Sequence, residues 1–122
     1  MGSLFSSSSS PSSESTIAKH IQELIHKYPV MVFSKSYCPY SKKAKDILSN
    51  YKLGKNYHVL ELDQLSSRGE TYQNELGKLT GARTVPRVFI KGKCIGGGDD
   101  TSALHKRGEL EKLLRDANAI VD

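Results

Sequence analysis

Apolar residues recur along the chain at two different spacings, and each change of spacing marks a predicted element. The first series follows the candidate helix caps Ser15 and Thr16 with the spacing of one helix face: Ile17, Ile21, Leu24 and Ile25. Pro29 ends this helix, because the residue before a proline disfavours the helical conformation. Residues 30–33 then form an unbroken apolar run, which is typical of a strand buried on both faces. The pattern therefore predicts a helix followed directly by a core strand.

The rest of the chain alternates between predicted helices and predicted strands. The helices cover residues 40–50, residues 67–79 and a last helical region that begins at Asp99 and Asp100 and runs through Leu104 to Leu110, Leu113 and Leu114. The strands cover residues 58–62, residues 87–91 and the short segment 94–95. Tyr72, Leu76 and Leu79 lie on one face of the middle helix, which Gly81 ends. The order is α-β-α-β-α-β-β-α.

This order of elements predicts an α/β fold. The first β-α-β unit implies a parallel pair of strands joined by a right-handed crossover, and the late hairpin adds antiparallel strands. We therefore expect a four-stranded mixed sheet flanked by helices on both faces.

The N-terminal segment differs from the rest of the chain in composition. Nine of the first sixteen residues are serine, and such a segment buries too little apolar surface to offset its ordering entropy. We predict a disordered Ser-rich tail over residues 1–15 and one folded domain over residues 16–122. Gly2 and Ser6 fit the short N-myristoylation pattern, which would give weak membrane association; the simpler interpretation is an ordinary tail.

Charge and cysteine content exclude several classes of protein. The net charge is +5 in 122 residues and is spread along the chain, which suits a small anionic ligand and not a nucleic-acid groove. The two cysteines, Cys38 and Cys94, are too few for a disulfide scaffold or a four-cysteine zinc site. The four histidines lack ligand spacing with a cysteine, so no metal site is predicted. No run approaches the roughly 20 apolar residues of a membrane-spanning helix.

Cys38 is the candidate nucleophile. It follows the first predicted strand and precedes a helix, where free N–H groups and the helix dipole stabilise a thiolate. Lys35, Lys42 and Lys43 add positive charge nearby, and Pro39 suits the first helical turn. A buried structural cysteine is the alternative.

Three motifs around this cysteine resemble those of glutaredoxins in the thioredoxin superfamily. They are Ser34-Lys35-Ser36-Tyr37-Cys38-Pro39-Tyr40-Ser41, Thr84-Val85-Pro86 and Gly96-Gly97-Gly98-Asp99-Asp100, in the family's order and spacing over about residues 16–117. The resemblance implies a thioredoxin-like fold and a glutathione-dependent thiol–disulfide oxidoreductase. It also implies that Cys38 is catalytic and that five residues support it: Lys35, Pro39, Tyr40, Ser41 and Pro86.

Ser41 departs from the dithiol form of the family, which has a second cysteine at this position. A hydroxyl cannot form a disulfide, so the resemblance implies a monothiol mechanism that removes glutathione from protein mixed disulfides. A Cys→Ser substitution at position 41, made to trap a glutathione adduct, is the other interpretation. Both leave the same chemistry at Cys38.

The resemblance also implies a glutathione site with three parts. Lys35, Gln73 and Arg83 would bind the glycine carboxylate, and Tyr40 would flank that end. Val85, held by a cis bond to Pro86 beside Thr84, would exchange backbone hydrogen bonds with the cysteinyl unit. The γ-glutamyl end would be held by the last four members of the set: Gly97, Gly98, Asp99 and Asp100. Simple helix caps and solvated charges are the alternative roles for these residues.

Other functions and partners remain open at this point. Some glutaredoxins hold a [2Fe–2S] cluster between two chains with two glutathiones, and an inert binding module with the same fold is a second alternative. We expect glutathione and glutathionylated proteins as partners of a monomer. Cys94 is predicted to be small apolar filler, or else a regulatory thiol. The cytoplasm is the default location; the secretory-pathway lumen would apply if a membrane anchor had been removed.

Overall fold

Residues 10–121, the part of the chain that the computed structural model describes, form five α-helices and four strands. The helices are α1 (Ser10–Lys27), α2 (Pro39–Leu48), α3 (Arg68–Thr80), α4 (Gly98–Lys106) and α5 (Glu109–Asp116). The strands are β1 (Val30–Ser34), β2 (Tyr57–Glu61), β3 (Arg87–Ile90) and β4 (Lys93–Gly96). Short 3₁₀ turns over Gly54–Asn56 and Leu62–Gln64 flank β2.

The four strands make one mixed sheet in the order β2-β1-β3-β4. β1 runs parallel to β2, with Ser34 paired to Glu61, and antiparallel to β3. β3 and β4 form a hairpin with an irregularity between Val88 and Phe89. The predicted mixed sheet is therefore confirmed, and β1, which carries the continuous apolar run, lies inside it.

Two apolar cores cover the two faces of the sheet. Met31 and Phe33 of β1 pack with residues of α1 and α3 on one face. Val30 and Val32 pack with residues of α2 and α5 on the other. All four side chains are fully buried, because successive residues of a strand point to opposite faces and both faces are covered. Helices on both faces of the sheet are thus confirmed. Within residues 10–121, none of the helices has the length and apolar character to cross a membrane.

The first helix starts earlier than the sequence predicts. α1 begins at Ser10, so residues 10–15 are helical where the composition predicts a disordered tail. Proline is tolerated in a first helical turn, and extending a helix costs much less than nucleating one. Packing of Ile17 and Ile21 therefore supports the polar turns before them. The rest of the predicted tail, with the Gly2 pattern, lies outside the described residues.

The last predicted helical region is two helices. α4 ends at Lys106 and α5 begins at Glu109, and between them Gly108 has a φ of +75° that an α-helix cannot contain. The apolar series hides this break, because Leu104 and Leu110 pack into the same core. The predicted face of α3 is also corrected at one position. Leu79 lies in the last turn of α3, where nothing covers its side chain fully, and it is 44% exposed.

Candidate active site

Cys38 lies where β1 gives way to α2. Residues 35–38 form a turn in which the N–H of Cys38 donates to the carbonyl of Lys35 at 3.0 Å. Cys38 is the N-cap of α2 and has an extended backbone, and Pro39 is the first residue of the helix. Proline fits this position because the N–H that it lacks would have no partner inside the helix. The turn therefore sets the half-buried thiol at the positive end of α2.

The surroundings of the sulfur favour the thiolate. Burial by itself would raise the pKa of Cys38, but hydrogen bonds from the Ser41 N–H, the Ser41 hydroxyl and the Tyr40 N–H outweigh it. The positive charge of Lys35 acts in the same direction, so the pKa of Cys38 is below its ordinary value. The predicted thiolate environment is thus present, with hydrogen bonds contributing more than the lysine charge.

Ser41 is fully buried beneath the turn. Its hydroxyl oxygen accepts a hydrogen bond from the Lys35 N–H at 3.3 Å, and the hydroxyl also hydrogen-bonds to the sulfur of Cys38. Ser41 cannot form a disulfide, but its hydroxyl connects Lys35, at the start of the turn, to the sulfur of Cys38 at the end of the turn.

The loop before β3 forms the opposite wall of the site. The Val85–Pro86 peptide bond is cis, as predicted, and Pro86 is buried. This arrangement brings the Val85 carbonyl to 3.8 Å from the Cys38 Sγ. The backbone of Val85 is thus next to the sulfur of Cys38.

A first groove, of about 360 Å³, opens on the α3 side of the thiol. Lys35 and Arg83 give it two cations, and Asp63 and Glu70 give it two carboxylates. Gln73 also lines this groove, and its Nε2 donates a hydrogen bond to the Arg83 carbonyl at 3.0 Å. The Arg83 side chain is held by Asn74 Oδ1 at 2.6 Å.

A second groove, of about 290 Å³, opens on the α4 side. Its walls come from three places in the chain: Tyr40, residues 84–87, and residues 97–100. Arg87 is the cation in this wall, and Asp99 and Asp100 are its anions. Asp99 pairs with Lys43 of α2 at 2.9 Å, and the Asp100 carboxylate accepts the Gly97 N–H at 2.9 Å as a cap of α4.

The residues next to Cys38 in sequence line both grooves, although Cys38 itself lines neither. Tyr37 lines the first groove and Tyr40 the second, so Cys38 stands between residues of both. Across from them, Arg83 lines the first groove and Val85 the second. Residues on both sides of Cys38 thus line grooves that carry charges of both signs, which suits an extended ligand that carries carboxylates and an ammonium group.

Most of the predicted site residues line one of the two grooves. The sequence assigned Tyr40 to the end that contains Lys35, whereas its side chain lies in the second groove, because α2 turns away from Cys38 in that direction. Gly98 is needed first for packing, since a Cβ there would lie 2.6 Å from the Tyr40 carbonyl oxygen. Cys94 is half-buried against the α1–α3 core, and its Sγ is 4.0 Å from Arg87 Nη1.

Asp63 and Arg87 are among the groove residues that the sequence does not predict. Asp63, just after β2, accepts hydrogen bonds from Ser36 in the active-site turn. A signal for it existed, because the carboxyl ends of parallel strands meet at one edge of a sheet and Asp63 follows β2 as Ser36 follows β1. Arg87 was read only as the start of a strand, although it follows Pro86 directly.

Comparison with known proteins gives a consistent family. Residues 30–95 match the family model described as Glutaredoxin. Monothiol glutaredoxin-S12, chloroplastic, of Arabidopsis thaliana is 47% identical over 112 residues, which are 92% of this chain and 62% of that protein. Glutaredoxin-C1 of the same plant is 44% identical over 123 residues and covers 100% of this chain and 96% of its own length.

A solved structure shows the same fold. The crystal structure of a buckwheat glutaredoxin–glutathione complex superposes with a TM-score of 0.82 at 38% identity, covering 93% of this chain and 100% of that chain. The sheet and its flanking helices thus match a thioredoxin-like fold over nearly the whole described chain.

Proposed function

The chain belongs to the glutaredoxin family, and on this premise we propose that it removes glutathione from protein mixed disulfides by a monothiol cycle at Cys38. The observation that carries the proposal is a thiol of lowered pKa whose neighbours in sequence line two charged grooves, with Ser41 where a second thiol would stand. The family is one of thiol–disulfide oxidoreductases, and the specific reaction is our proposal.

In the first step the Cys38 thiolate attacks the glutathione sulfur of the mixed disulfide. The bond between that sulfur and the client cysteine breaks, and the client leaves as a thiolate that takes a proton from water. Cys38 then carries glutathione in a disulfide, and the client cysteine is a thiol again; one disulfide bond has broken and one has formed. The lowered pKa increases the fraction of Cys38 that is a thiolate and can make this attack.

In the second step a free glutathione thiolate attacks the glutathione sulfur on Cys38. Oxidised glutathione forms and the Cys38 thiolate is released, so the enzyme returns to its starting state. A thiol of low pKa is a good leaving group, and the hydrogen bonds that stabilise the thiolate therefore favour this step as well.

Glutathione would lie along the cleft as an extended tripeptide. Lys35 and Arg83 would bind the glycine carboxylate in the first groove, with Gln73 beside them. The cysteinyl backbone would pair with Val85, next to the sulfur of Cys38. The γ-glutamyl carboxylate would meet the N–H groups of the first turn of α4, and its ammonium group would meet Asp100. Thr84, Gly97 and Gly98 would wall this end, and Asp99, already paired with Lys43, would face the same groove.

The buried hydroxyl of Ser41 fits a monothiol site whether the serine is native or substituted. It joins the Lys35 N–H to the Cys38 thiol and is fully enclosed. A relative that covers most of the chain is also named a monothiol glutaredoxin.

Turnover with a small glutathionylated substrate, measured with and without Ser41→Cys, tests the cycle. The unchanged chain should reduce the glutathionylated substrate but not a glutathione-free protein disulfide. With oxidised glutathione alone it should gain the mass of one glutathione at Cys38. Ser41→Cys should gain dithiol activity, because internal closure across one short loop has a high effective concentration. Efficient reduction of a glutathione-free protein disulfide by the unchanged chain would contradict the monothiol cycle.

The cluster alternative does not fit the residues of one chain. Within the described part of the chain no group of three or more His, Cys, Asp and Glu side chains could hold a metal ion, and the cleft offers one thiolate. A [2Fe–2S] cluster would need four sulfur ligands, hence a second copy and two glutathiones. Visible absorption after anaerobic purification would favour that function.

A further inference from the structure

A carboxylate outside the three sequence motifs holds the active-site turn. Ser36 donates from its N–H to Asp63 Oδ1 at 2.9 Å and from its hydroxyl to Asp63 Oδ2. The two oxygens of one carboxylate thus bind two donors of one residue, which fixes both the position and the orientation of Ser36. Bidentate, charge-assisted hydrogen bonds of this kind are stronger than bonds between neutral groups.

The sheet explains why these two residues meet. β1 and β2 are parallel, and Ser34 at the end of β1 is paired with Glu61 at the end of β2. Two residues beyond that pair, Ser36 and Asp63 leave the sheet at the same edge. The 3₁₀ turn over Leu62–Gln64 then turns Asp63 toward the loop that follows β1.

Ser36 lies inside the turn that connects Lys35 to Cys38. The turn over residues 35–38 carries Lys35 at its first position and Cys38 at its last, and Ser36 follows Lys35 directly. Its other supports are the 3.0 Å bond from Cys38 to Lys35 and the 3.3 Å bond from Lys35 to Ser41. The hydrogen bonds to Asp63 connect this turn to the 3₁₀ turn that follows β2.

Asp63 is a carboxylate under neutral conditions. Hydrogen bonds from the Ser36 hydroxyl and then the Ser36 N–H hold the pKa of Asp63 below its ordinary value, and Lys35 adds to this effect. The charged groups around it in the first groove are Lys35, Arg83 and Glu70.

We propose that Asp63 is a positioning residue of the thiol–disulfide reaction: by binding Ser36 twice it fixes the turn that sets Lys35 and Cys38 relative to the start of α2. The proposal rests on the proposed function for the reaction that is served. It assigns Asp63 no contact with the reacting sulfurs, and its effect passes through the geometry of the turn.

Position and charge make opposite predictions for Asp63, so they can be separated. If Asp63 acted only through its negative charge, removing it would lower the pKa of Cys38 and leave more thiolate. If Asp63 positions the turn, Asp63→Ala weakens the hydrogen bonds to the thiolate and allows Lys35 to move away from it. The pKa of Cys38 should then rise, by about 0.5 to 1 unit for the loss of such contacts.

The experiment measures the rate of Cys38 alkylation by iodoacetamide as a function of pH in the full chain carrying Cys94→Ser. This reaction needs no glutathione, so its result does not depend on whether the proposed turnover occurs. The variants are Asp63→Ala, Asp63→Asn, Ser36→Ala and the double variant Ser36→Ala with Asp63→Ala. Asp46→Asn is the matched control, because Asp46 is an exposed carboxylate bonded to Lys42 on α2 and does not touch the turn.

We expect the measured pKa of Cys38 to rise most in Asp63→Ala, less in Ser36→Ala, and not in Asp46→Asn. Asp63→Asn should lie between wild type and Asp63→Ala, because an amide keeps an oxygen for the Ser36 N–H. In the double variant Ser36→Ala should add little, since its partner is already gone. With a glutathionylated substrate, Asp63→Ala should lose kcat/KM by up to about three- to tenfold, the largest change in thiolate fraction that its pKa shift allows.

An unchanged or lower pKa of Cys38 in Asp63→Ala would overturn the proposal, as would fully additive effects in the double variant. Equal values for Asp63→Asn and Asp63→Ala would show that an oxygen kept for the Ser36 N–H has no effect, which would reject positioning through these hydrogen bonds. If Asp63→Ala fails to fold, Ser36→Ala and Asp63→Asn decide in the same way. A raised pKa together with absent turnover would uphold the role of Asp63 and reject the proposed reaction.

Discussion

At the scale of single residues, the reactivity of Cys38 comes from groups that are close in sequence but act from different directions. Ser41 and Tyr40 contribute hydrogen bonds from the first turn of α2, and Lys35 contributes charge from the start of the loop. Each helps because a thiolate accepts hydrogen bonds and is attracted to cations. Together they overcome burial, which alone would raise the pKa of the thiol.

Cys38 is predicted to be the only thiol required for turnover. Cys38→Ser should abolish deglutathionylation, because a hydroxyl is not ionised at neutral pH and does not form a mixed disulfide. Cys94→Ser should keep most of the activity, since Cys94 lies on β4 against the α1–α3 core. Steady-state assays with a glutathionylated peptide compare the two variants. Loss of turnover in Cys94→Ser with Cys38 intact would count against a single catalytic thiol.

Lys35→Glu should act on both the thiol and the ligand. Removing the lysine charge should raise the pKa of Cys38, and a carboxylate in the first groove should repel the glycine carboxylate of glutathione. A lost charge-assisted contact of about 1.5–3 kcal/mol predicts a KM for glutathione that rises at least tenfold. The measurements are the pH profile of alkylation and the KM for glutathione.

Lys42→Glu is the matched control for Lys35→Glu. It makes the same change of charge on the exposed face of α2, where Lys42 pairs with Asp46 at 3.0 Å. If both variants shifted the pKa of Cys38 and the KM equally, the effect would be one of net charge, and the local role of Lys35 would be wrong.

At the scale of elements, the starts of two helices face one cleft. α2 begins beside Cys38, and α4 begins beside the second groove. The N–H groups of a first helical turn carry partial positive charge, which stabilises a thiolate at one helix and a carboxylate at the other. The two helices are joined by the Lys43–Asp99 ion pair and by the close approach of Gly98 to Tyr40.

Gly98→Ala should separate these two helices. A Cβ on Gly98 would lie 2.6 Å from the Tyr40 carbonyl oxygen, so the backbone of α4 must move away from α2. Overpacking of this kind costs about 1–3 kcal/mol of stability. Urea denaturation should show that loss, and the KM for glutathione should rise because the second groove changes shape.

Gly97→Ala is the neighbouring comparison for stability. A Cβ there would lie 3.1 Å from the flexible end of Arg87 and 3.4 Å from the Pro86 carbonyl oxygen, and the φ of Gly97 is −105°, which other residues adopt. Its loss of stability should be clearly smaller. Equal losses in the two variants would mean that the contact between α2 and α4 does not depend on Gly98.

At the scale of the whole molecule, the lowered pKa of Cys38 links the stability of the fold to pH. The folded pKa lies below that of the unfolded thiol, which is about 8.5. The thiolate therefore adds stability that is fully present above about pH 8.5 and is lost as the pH falls through the folded value. The free energy of unfolding of wild type minus that of Cys38→Ser should increase with pH across this window and level off above it.

Urea denaturation at a series of pH values checks this linkage under reducing conditions. Cys38→Ala provides a second reference without a hydroxyl, and the same rise should appear against it. A difference that stayed flat, or fell with increasing pH, would show that folding does not favour the thiolate.

The sequence by itself determined the features that depend on local chemistry. Apolar periodicity located the strands and most of the helices, since a run such as residues 30–33 can be buried only between two covered faces. The change from strand to helix, with Pro39 at the helix start, placed the nucleophile at a helix N-terminus. The cis bond before Pro86 came from resemblance to a family and not from any local pattern.

Only the tertiary structure decided which residues meet across the chain. Tyr40 lies in the second groove and not the first, because α2 packs against the start of α4. The break at Gly108 is invisible in the apolar pattern, because both helices bury leucines in one core. Asp63 reaches Ser36 over 27 positions of sequence through the parallel pairing of β1 and β2. Such contacts depend on how the helices and strands pack in three dimensions, and the spacing of residues along the chain does not specify that packing.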